Sequence, residues 1–295
     1  MGALKNKISF YPKLIFYIRN QIKQQQPDRV LSFGDFFNPI VLLAASGLKV
    51  PVYISDRTSP DFKFPFYIKF LKKQLYPKAT GFIAQTQRAY DAKRNQFGND
   101  FKQIIIPNAI KSIEKIEVPK EKIILYAGRF SWEKNPSDLI DAFSLIENKN
   151  DWRLVMAGEG PQWNDMKALV HELGIESQVE FLGSVSDLDL WLSKASIFVL
   201  PSLLEGFPNA LCEAMTAGLP VVCYDSLAYE SIITPGVSGC VVPYRKVDTL
   251  ASTISELMTN NQYRVDLGKK AFKKSEEWDV KIIVNRYAQF LKLYE

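Results

Sequence analysis

The stretch Ser196-Ile197-Phe198-Val199-Leu200-Pro201-Ser202-Leu203-Leu204-Glu205-Gly206-Phe207-Pro208-Asn209-Ala210-Leu211-Cys212-Glu213-Ala214-Met215, followed closely by Ala217-Gly218-Leu219-Pro220, reads as strand, loop and helix. Residues 197–200 are continuously apolar, as expected of a strand covered on both faces. Pro208 suits the first turn of a helix, and Gly218 with Pro220 stops it, which puts Glu213 a little over one turn in. Glu205 then lies in the loop at the carboxyl end of the strand, and both carboxylates can face one crevice. The loop through Gly206 and Phe207 leads into a helix amino end, whose free N–H groups suit a phosphate or a sugar hydroxyl. A loop Glu that caps the helix, beside a solvated helical Glu, is the plainer alternative; this pair alone does not separate the two.

Outward from this turn the pattern repeats. Strands at 123–127, 152–157, 179–182, 197–200 and 221–224 alternate with helices at 136–147, 161–173, 187–194 and 208–217. Such alternation predicts a doubly wound parallel sheet in the α/β class, with ligands beyond the carboxyl ends of its strands. Helices at 247–259, 262–275 and 279–293 follow. The front of the chain reads as a smaller α/β set: helix 8–26, strands 29–33, 52–55, 81–84 and 103–106, a helix ending at Ser46 and another at 86–96. Residues 107–122 lack apolar periodicity. The expected division is therefore a first domain at 1–110, a linker at 111–121 and a second domain at 122–278, with the helical segment 279–295 packing back on the first.

At 295 residues and 47% hydrophobic, the chain suits two packed cores. The net charge of +5 hides an asymmetry: residues 1–120 carry 20 Lys and Arg against 8 Asp and Glu, and residues 121–295 carry 17 against 24. The front is the part expected to meet an anionic surface. Within it, residues 61–78 interleave Phe62, Phe64, Phe66, Tyr67, Phe70 and Tyr76 with Lys63, Lys69, Lys72, Lys73 and Lys78. That amphipathic pattern fits either a segment lying on an anionic membrane surface or aromatics turned to the core. No nucleic-acid module accompanies it, so a nucleic-acid partner is not expected. Cys212, Cys223 and Cys240 are far apart in apolar surroundings and read as small buried hydrophobes in a reducing compartment. No apolar run is long enough to span a bilayer, and residues 1–7 lack the apolar core of a signal peptide. The expectation is a cytoplasmic protein, peripheral at the inner face of the cytoplasmic membrane.

Three more loops join the opening one. Strand 123–127 ends in Gly128-Arg129-Phe130-Ser131-Trp132-Glu133-Lys134-Asn135-Pro136, where two cations and a helix amino end converge on a place for an anion. A pair of solvated surface cations is its plainer reading. Strand 152–157 ends in Gly158-Glu159-Gly160-Pro161, a tight turn or a close ligand approach, too short for a dinucleotide fingerprint. Strand 179–182 ends in Gly183-Ser184-Val185, which could border a base.

In order and spacing, Gly128-Arg129 with Lys134, Gly158-Glu159-Gly160-Pro161, Phe181-Leu182-Gly183, Pro201-Ser202 with Glu205-Gly206-Phe207, and Glu213-Ala214-Met215 with Gly218-Leu219-Pro220-Val221-Val222 resemble the carboxyl-terminal domain of family 4 glycosyltransferases. The resemblance covers about 122–290. In the front part Leu31-Ser32-Phe33, Ile54-Ser55-Asp56-Arg57 and Ile106-Pro107-Asn108-Ala109 resemble members that extend lipid-linked oligosaccharides or surface polysaccharides. The resemblance implies a GT-B architecture of two Rossmann-like domains and a retaining, metal-independent hexosyltransferase. Its donor would be a nucleotide diphosphate sugar, a UDP-sugar, and its acceptor a glycan or lipid-linked glycan. It also implies that Gly128, Arg129 and Lys134 hold the donor diphosphate, with Arg129, Lys134 and Glu205 catalytic. Glu205 would lie near the donor sugar, Gly206 and Phe207 would offer backbone contacts, Glu213 would bind the ribose and Val185 would lie near the base. On the acceptor side Asp35, Asn38 and Arg57 are candidates, at strand ends with Asp56.

The family's first domain normally opens with a strand, a glycine-rich loop and further βα units before the counterpart of residues 8–26. The expectation is an incomplete first domain, or a partner chain that supplies the missing segment; a non-catalytic nucleotide-sugar-binding subunit needing such a partner is the alternative function. His171, the one histidine, falls within the helix after Gly160 and reads as a surface residue. Asp187-Leu188-Asp189 has the letters of a metal-binding carboxylate pair, but it sits at a helix start, where Asp favours the cap and first turn. No cofactor and no metal are expected.

Overall fold

The computed structural model describes residues 2–113, 116–226 and 229–292, with side chains from residue 10 on. Residues 114–115 of the expected linker and 293–295 of the expected final segment thus lie outside the described residues. The chain divides into two compact units, Met1–Pro107 with Ile283–Glu295, and Asn108–Ile282.

In the first unit, α1 (Gly2–Gln25), β1 (Val30–Phe33), α2 (Phe37–Ala45), β2 (Val52–Ser55), α3 (Phe66–Leu75), β3 (Gly81–Ala84), α4 (Gln87–Phe97) and β4 (Gln103–Ile105) follow in sequence. The strands form one parallel sheet in the order β1-β2-β3-β4. Alternate residues of a strand point to opposite faces, and here the two faces meet different helices. Val52, Ile54, Phe82 and Ala84 pack with Ile22, Leu42, Leu75 and Tyr76 from the α1, α2 and α3 side. Ile83 and Ile106 pack instead with Ile283, Tyr287 and Phe290.

The second unit continues with β5 (Ile123–Ala127), α5 (Pro136–Ser144), β6 (Arg153–Ala157), α6 (Trp163–Glu172), β7 (Val179–Gly183), α7 (Leu188–Lys194), β8 (Ile197–Leu200), α8 (Asn209–Thr216), β9 (Val221–Tyr224), β10 (Cys240–Val242), α9 (Val247–Thr259) and α10 (Asn261–Ser275). The last helix, α11 (Val280–Leu291), supplies the first unit from Ile283 onward. The six strands are parallel in the order β10-β9-β8-β5-β6-β7. Every residue of β5, β8 and β9 is buried; helices cover both faces, which is why those strands read as unbroken apolar runs. Each fully buried Ile, Leu, Val or Phe of these strands contributes about 1.5–3 kcal/mol relative to exposure.

Sheet order decides where a ligand fits. The chain winds outward from β5 through β6 to β7, then returns to place β8 beside β5 and winds the other way through β9 to β10. The loops after β5 and β8 therefore diverge to opposite sides of the sheet. A crevice opens at the carboxyl ends of such a switch point.

Two features were not read from the sequence. Within residues 61–78, α3 begins only at Phe66, after Pro65, and Tyr76–Lys78 form a separate turn of 3-10 helix. Lys72 and Tyr76 point inward and are buried, because Lys72 pairs with Asp35 at 2.6 Å and Asp56 at 2.9 Å. The outward face carries Phe66, Tyr67 and Phe70 with Lys63, Lys69, Lys73 and Lys78. β10 had no counterpart in the sequence reading. No helix among the described residues is long and apolar enough to cross a membrane.

Candidate active site

The loops on either side of the switch point are tied together by backbone and side chain. After β5 the chain passes Gly128 and Arg129, and the Tyr126 hydroxyl donates to the Arg129 carbonyl at 3.0 Å. Burial pushes the Tyr126 phenol well above its ordinary range, and the carboxylates of Glu205 and Glu133 add to this, so it remains a donor. The Glu133 carbonyl accepts from the Leu203 and Leu204 amides at 2.8 and 3.3 Å, joining this loop to the one after β8. Asn135 adopts the left-handed conformation at φ 50° immediately before Pro136, the first residue of α5. Its side chain accepts from Ser137 and donates to the Pro201 carbonyl. The loop is thereby held so that Lys134 reaches Glu205, Nζ to Oε1, at 2.5 Å.

That ion pair is sheltered but open on the lysine side: the Lys134 side chain retains 26% of its exposure and Glu205 9%. The Arg129 guanidinium is exposed and makes no hydrogen bond or ion pair among the described residues. In the same two loops the Ser131 and Ser202 hydroxyls are buried without a hydrogen-bond partner among the described residues, a condition that costs about 1–3 kcal/mol per group. A cation with free valence, an anchored cation and two unsatisfied hydroxyls surround the amino end of α5, which favours negative charge.

The neighbouring strand ends come close because they lack side chains. The Gly158 amide donates to the Gly183 carbonyl, and the Gly128 amide to the Ala157 carbonyl. A Cβ on Gly158, at φ 128°, would lie 2.0 Å from the Gly128 carbonyl oxygen, and one on Gly160 would lie 2.3 Å from that of Phe130. These glycines let the β6 turn press against the cationic loop. Val185, half-buried, borders the apolar core after β7.

Glu213 stands at the fifth residue of α8; Pro208 is the residue just before that helix rather than within its first turn. Phe207 is buried, edge to face with Trp278 at 6.1 Å, so Gly206 and the backbone are what this turn presents. Burial raises the Glu213 carboxyl; Lys111 works against this and Asp189 with it. Lys111 in turn pairs with Asp189 at 2.8 and 3.0 Å, and Asn108 donates to Asn209 at 2.7 Å. Lys111, Asn108 and Tyr126 were not foreseen as part of this region. Their partners lie 78, 101 and 3 residues away, and only the Tyr126 contact is local enough for a sequence signal.

The acceptor-side candidates share one network in the first unit. Asp35 is buried, accepting from the Arg57 and Thr58 amides and from Lys72. Asn38 has no exposed surface; it accepts from Ser32 and donates to Asp56 and the Ser55 carbonyl, so it braces the strand ends and offers nothing to solvent. The Arg57 guanidinium lies 4.3 Å from the Phe33 ring centroid and donates to the Tyr287 hydroxyl. Asp56 receives Tyr76 at 2.5 Å, Lys72 and Lys93 at 2.9 Å and Asn38 at 3.0 Å. Burial alone would raise the Asp56 carboxyl; Lys93, Lys72 and Tyr76 outweigh it and hold the group well below the usual carboxylate range. His171 is exposed beside Glu176, and Asp187 precedes α7 without capping it through its side chain.

Comparison with known proteins bears on the family and the fold. Residues 109–274 match the family model described as glycosyl transferases group 1. A Campylobacter jejuni alpha-1,4-N-acetyl-D-galactosaminyltransferase, named for GalNAc-alpha-(1->4)-GalNAc-alpha-(1->3)-diNAcBac-PP-undecaprenol, is 25% identical over 98% of this chain and 81% of its own. Among solved structures, Anabaena HepE in complex with UDP superposes with a TM-score of 0.83 at 17% identity, over 95% of this chain and 82% of its own. TarM gives 0.83 at 18% identity, over 94% of this chain and 58% of its own. Both are likenesses of fold, and the fold is that of GT-B enzymes, an α/β architecture of two Rossmann-like units. The family model covers more than half of the chain: this protein belongs to the group 1 glycosyl transferases.

Proposed function

We propose that the chain transfers a hexose or N-acetylhexosamine from a UDP-sugar to a glycan or lipid-linked glycan acceptor, with retention of anomeric configuration and without a metal. The observation that carries this reading is the Lys134–Glu205 pair at 2.5 Å, set between the loops that diverge after β5 and β8. Departure of a nucleoside diphosphate builds negative charge on phosphate oxygens. Arg129, Lys134 and the amino end of α5 form a preorganised counter-charge. On donor arrival Lys134 is shared between the diphosphate and Glu205, and Ser131 and Ser202 gain an acceptor if the loops close on the phosphates. Gly128, Gly206 and Phe207 contribute backbone contacts, Glu213 accepts from the ribose hydroxyls and Val185 borders the base.

Retention puts acceptor and leaving group on one face of the sugar. The bond from the anomeric carbon to the phosphate oxygen breaks, the bond to the acceptor oxygen forms, and the departing phosphate oxygen takes the acceptor's proton. This scheme needs no histidine, and turnover is expected to be unchanged by a chelator. Asp35, Asn38 and Arg57 act on the acceptor side, Arg57 by contact and the other two by holding it. The undecaprenol-linked acceptor in the name of the Campylobacter relative supports a lipid-linked acceptor here. The exposed Phe66, Tyr67 and Phe70 with their flanking lysines would rest on the membrane that carries it.

Calorimetric titration with UDP, on the unaltered chain and on Arg129→Ala and Lys134→Ala, tests the donor site. Binding that both variants weaken about tenfold or more supports it, and wild-type binding in both removes the assignment. UDP binding without sugar transfer would favour a nucleotide-sugar-binding subunit that needs a partner chain.

A further inference from the structure

A second hollow lies at the opposite edge of the six-stranded sheet. Lys120 and Ser196 stand just before β5 and β8, and Gly218, Leu219 and Pro220 lead into β9, so these residues mark the amino ends of the strands. With Arg264, Lys269 and Phe272 of α10 they line a cavity of about 460 Å³, within the range of roughly 300–1,000 Å³ typical of small-molecule sites. Among the described residues its lining carries three cations and no carboxylate.

The three cations are not equivalent. Arg264 is committed: it donates to the Leu257 and Met258 carbonyls at the end of α9 and to Asn261. Lys120 donates to the Leu192 carbonyl at 3.1 Å but has no acidic partner among the described residues, and burial pushes its ammonium down to about 8. Lys269 is exposed and unpaired among the described residues. The amino end of α10, at Asn261, opens on the same hollow and adds positive potential. The remaining wall is apolar: Ala217, Leu219, Pro220, Val265 and Phe272, the last two 42% and 37% exposed.

We propose that this hollow binds a phosphomonoester carried on an apolar body. Lys269 with no partner among the described residues, and Lys120 with donors left over from its one bond to the Leu192 carbonyl, ask for a dianion beside a helix amino end, and a carboxylate would answer only one of them. The apolar wall asks for a hydrocarbon attached to that head, which a free inorganic anion lacks. The glycosyltransferase reading is not needed for this site, since its residues and sheet edge are separate from those of the donor.

Calorimetric titration of the full chain with octyl phosphate, kept below its micelle concentration, tests the proposal. Octyl phosphate is expected to bind at least about tenfold more tightly than octanol or inorganic phosphate, and to do so equally in saturating UDP. Lys269→Ala and Lys120→Met are each expected to weaken it about tenfold. Where Lys120→Met compromises folding, Lys269→Glu at the exposed rim carries the test alone. Co-sedimentation with phosphatidic acid vesicles separates two sources of the same chemistry. A lipid headgroup gives co-sedimentation that Lys269→Glu abolishes, and a soluble ester gives octyl phosphate binding without it. Failure of octyl phosphate to bind, its displacement by UDP, or octanol binding equally well overturns the proposal.

Discussion

The two units treat charge at the carboxyl ends of their strands in opposite ways. In the first, Asp35, Asp56, Lys72 and Lys93 are all buried, and each satisfies another. In the second, the Arg129 guanidinium has no partner among the described residues, Lys134 is a quarter exposed and Glu213 is half-buried. The difference follows from sheet order. The four described strands of the first sheet run β1-β2-β3-β4 without reversal, while the second reverses between β5 and β8. A reversal parts the loops and leaves charges facing a crevice; without one, the same residue types close on each other. Charge that is buried and mutually satisfied acts as framework, and charge with a spare valence is what a ligand can engage.

That contrast breaks most visibly at Asp56. Asp56→Ala leaves Lys72 and Lys93 buried without their shared partner, and a loss of about 3–5 kcal/mol is expected. All the tryptophans lie at or beyond Trp132, so urea unfolding followed by far-UV circular dichroism should gain an early phase that tryptophan emission lacks. A midpoint that hardly moves would mean that the network is not framework. Glu205→Ala is the counterpart in the second unit: turnover is expected to fall about 10²–10³-fold with the unfolding midpoint nearly unchanged. A variant that unfolds yet keeps its specific activity would reverse the assignment.

Smaller effects sharpen the picture. Arg129→Ala has no partner to leave stranded, so it should weaken UDP about tenfold or somewhat more without changing stability. Glu213→Ala should weaken UDP while sparing turnover at saturating donor, and pH offers a second reading. The Glu213 carboxyl is raised above its ordinary 4.5, mainly by burial, so ionising it opposes folding; that part of stability is regained as pH falls through the raised value. Donor affinity runs the other way, because the carboxylate accepts from the ribose hydroxyls. UDP binding should therefore weaken as the solution is acidified from neutral towards the raised value, and Glu213→Ala should flatten this dependence in a calorimetric series. The smallest effect belongs to His171→Ala, for which melting temperature and turnover should both be unchanged.

Much of the second unit was legible before any coordinates, and the part of the molecule that was not has a definite cause. The strands 123–127, 197–200 and 221–224 coincide with β5, β8 and β9 because burial on both faces writes itself as an unbroken apolar run. The loops after them carry Gly128, Lys134, Glu205 and Gly206 as expected. Lys72 was misleading because an inward lysine and a surface lysine have the same letter; only Asp35 and Asp56, 37 and 16 positions earlier in the chain, turn it inward. β10, three residues held between Gly239 and Pro243, escaped the sequence reading. The Lys134–Glu205 contact joins residues 71 apart, and Lys111 reaches Asp189 across 78. Sequence placed these groups on loops and helices, and the sheet order brought them together.

One further consequence lies in the cysteines. Cys212, Cys223 and Cys240 are buried and free, burial pushing all three thiols upward, and every one belongs to the second unit. A thiol so held is a poor nucleophile, so alkylation of the native chain waits on local opening. Timed labelling read by mass spectrometry would act as a clock for that unit alone. Slowing of the clock by UDP would report donor binding through residues that need never touch it.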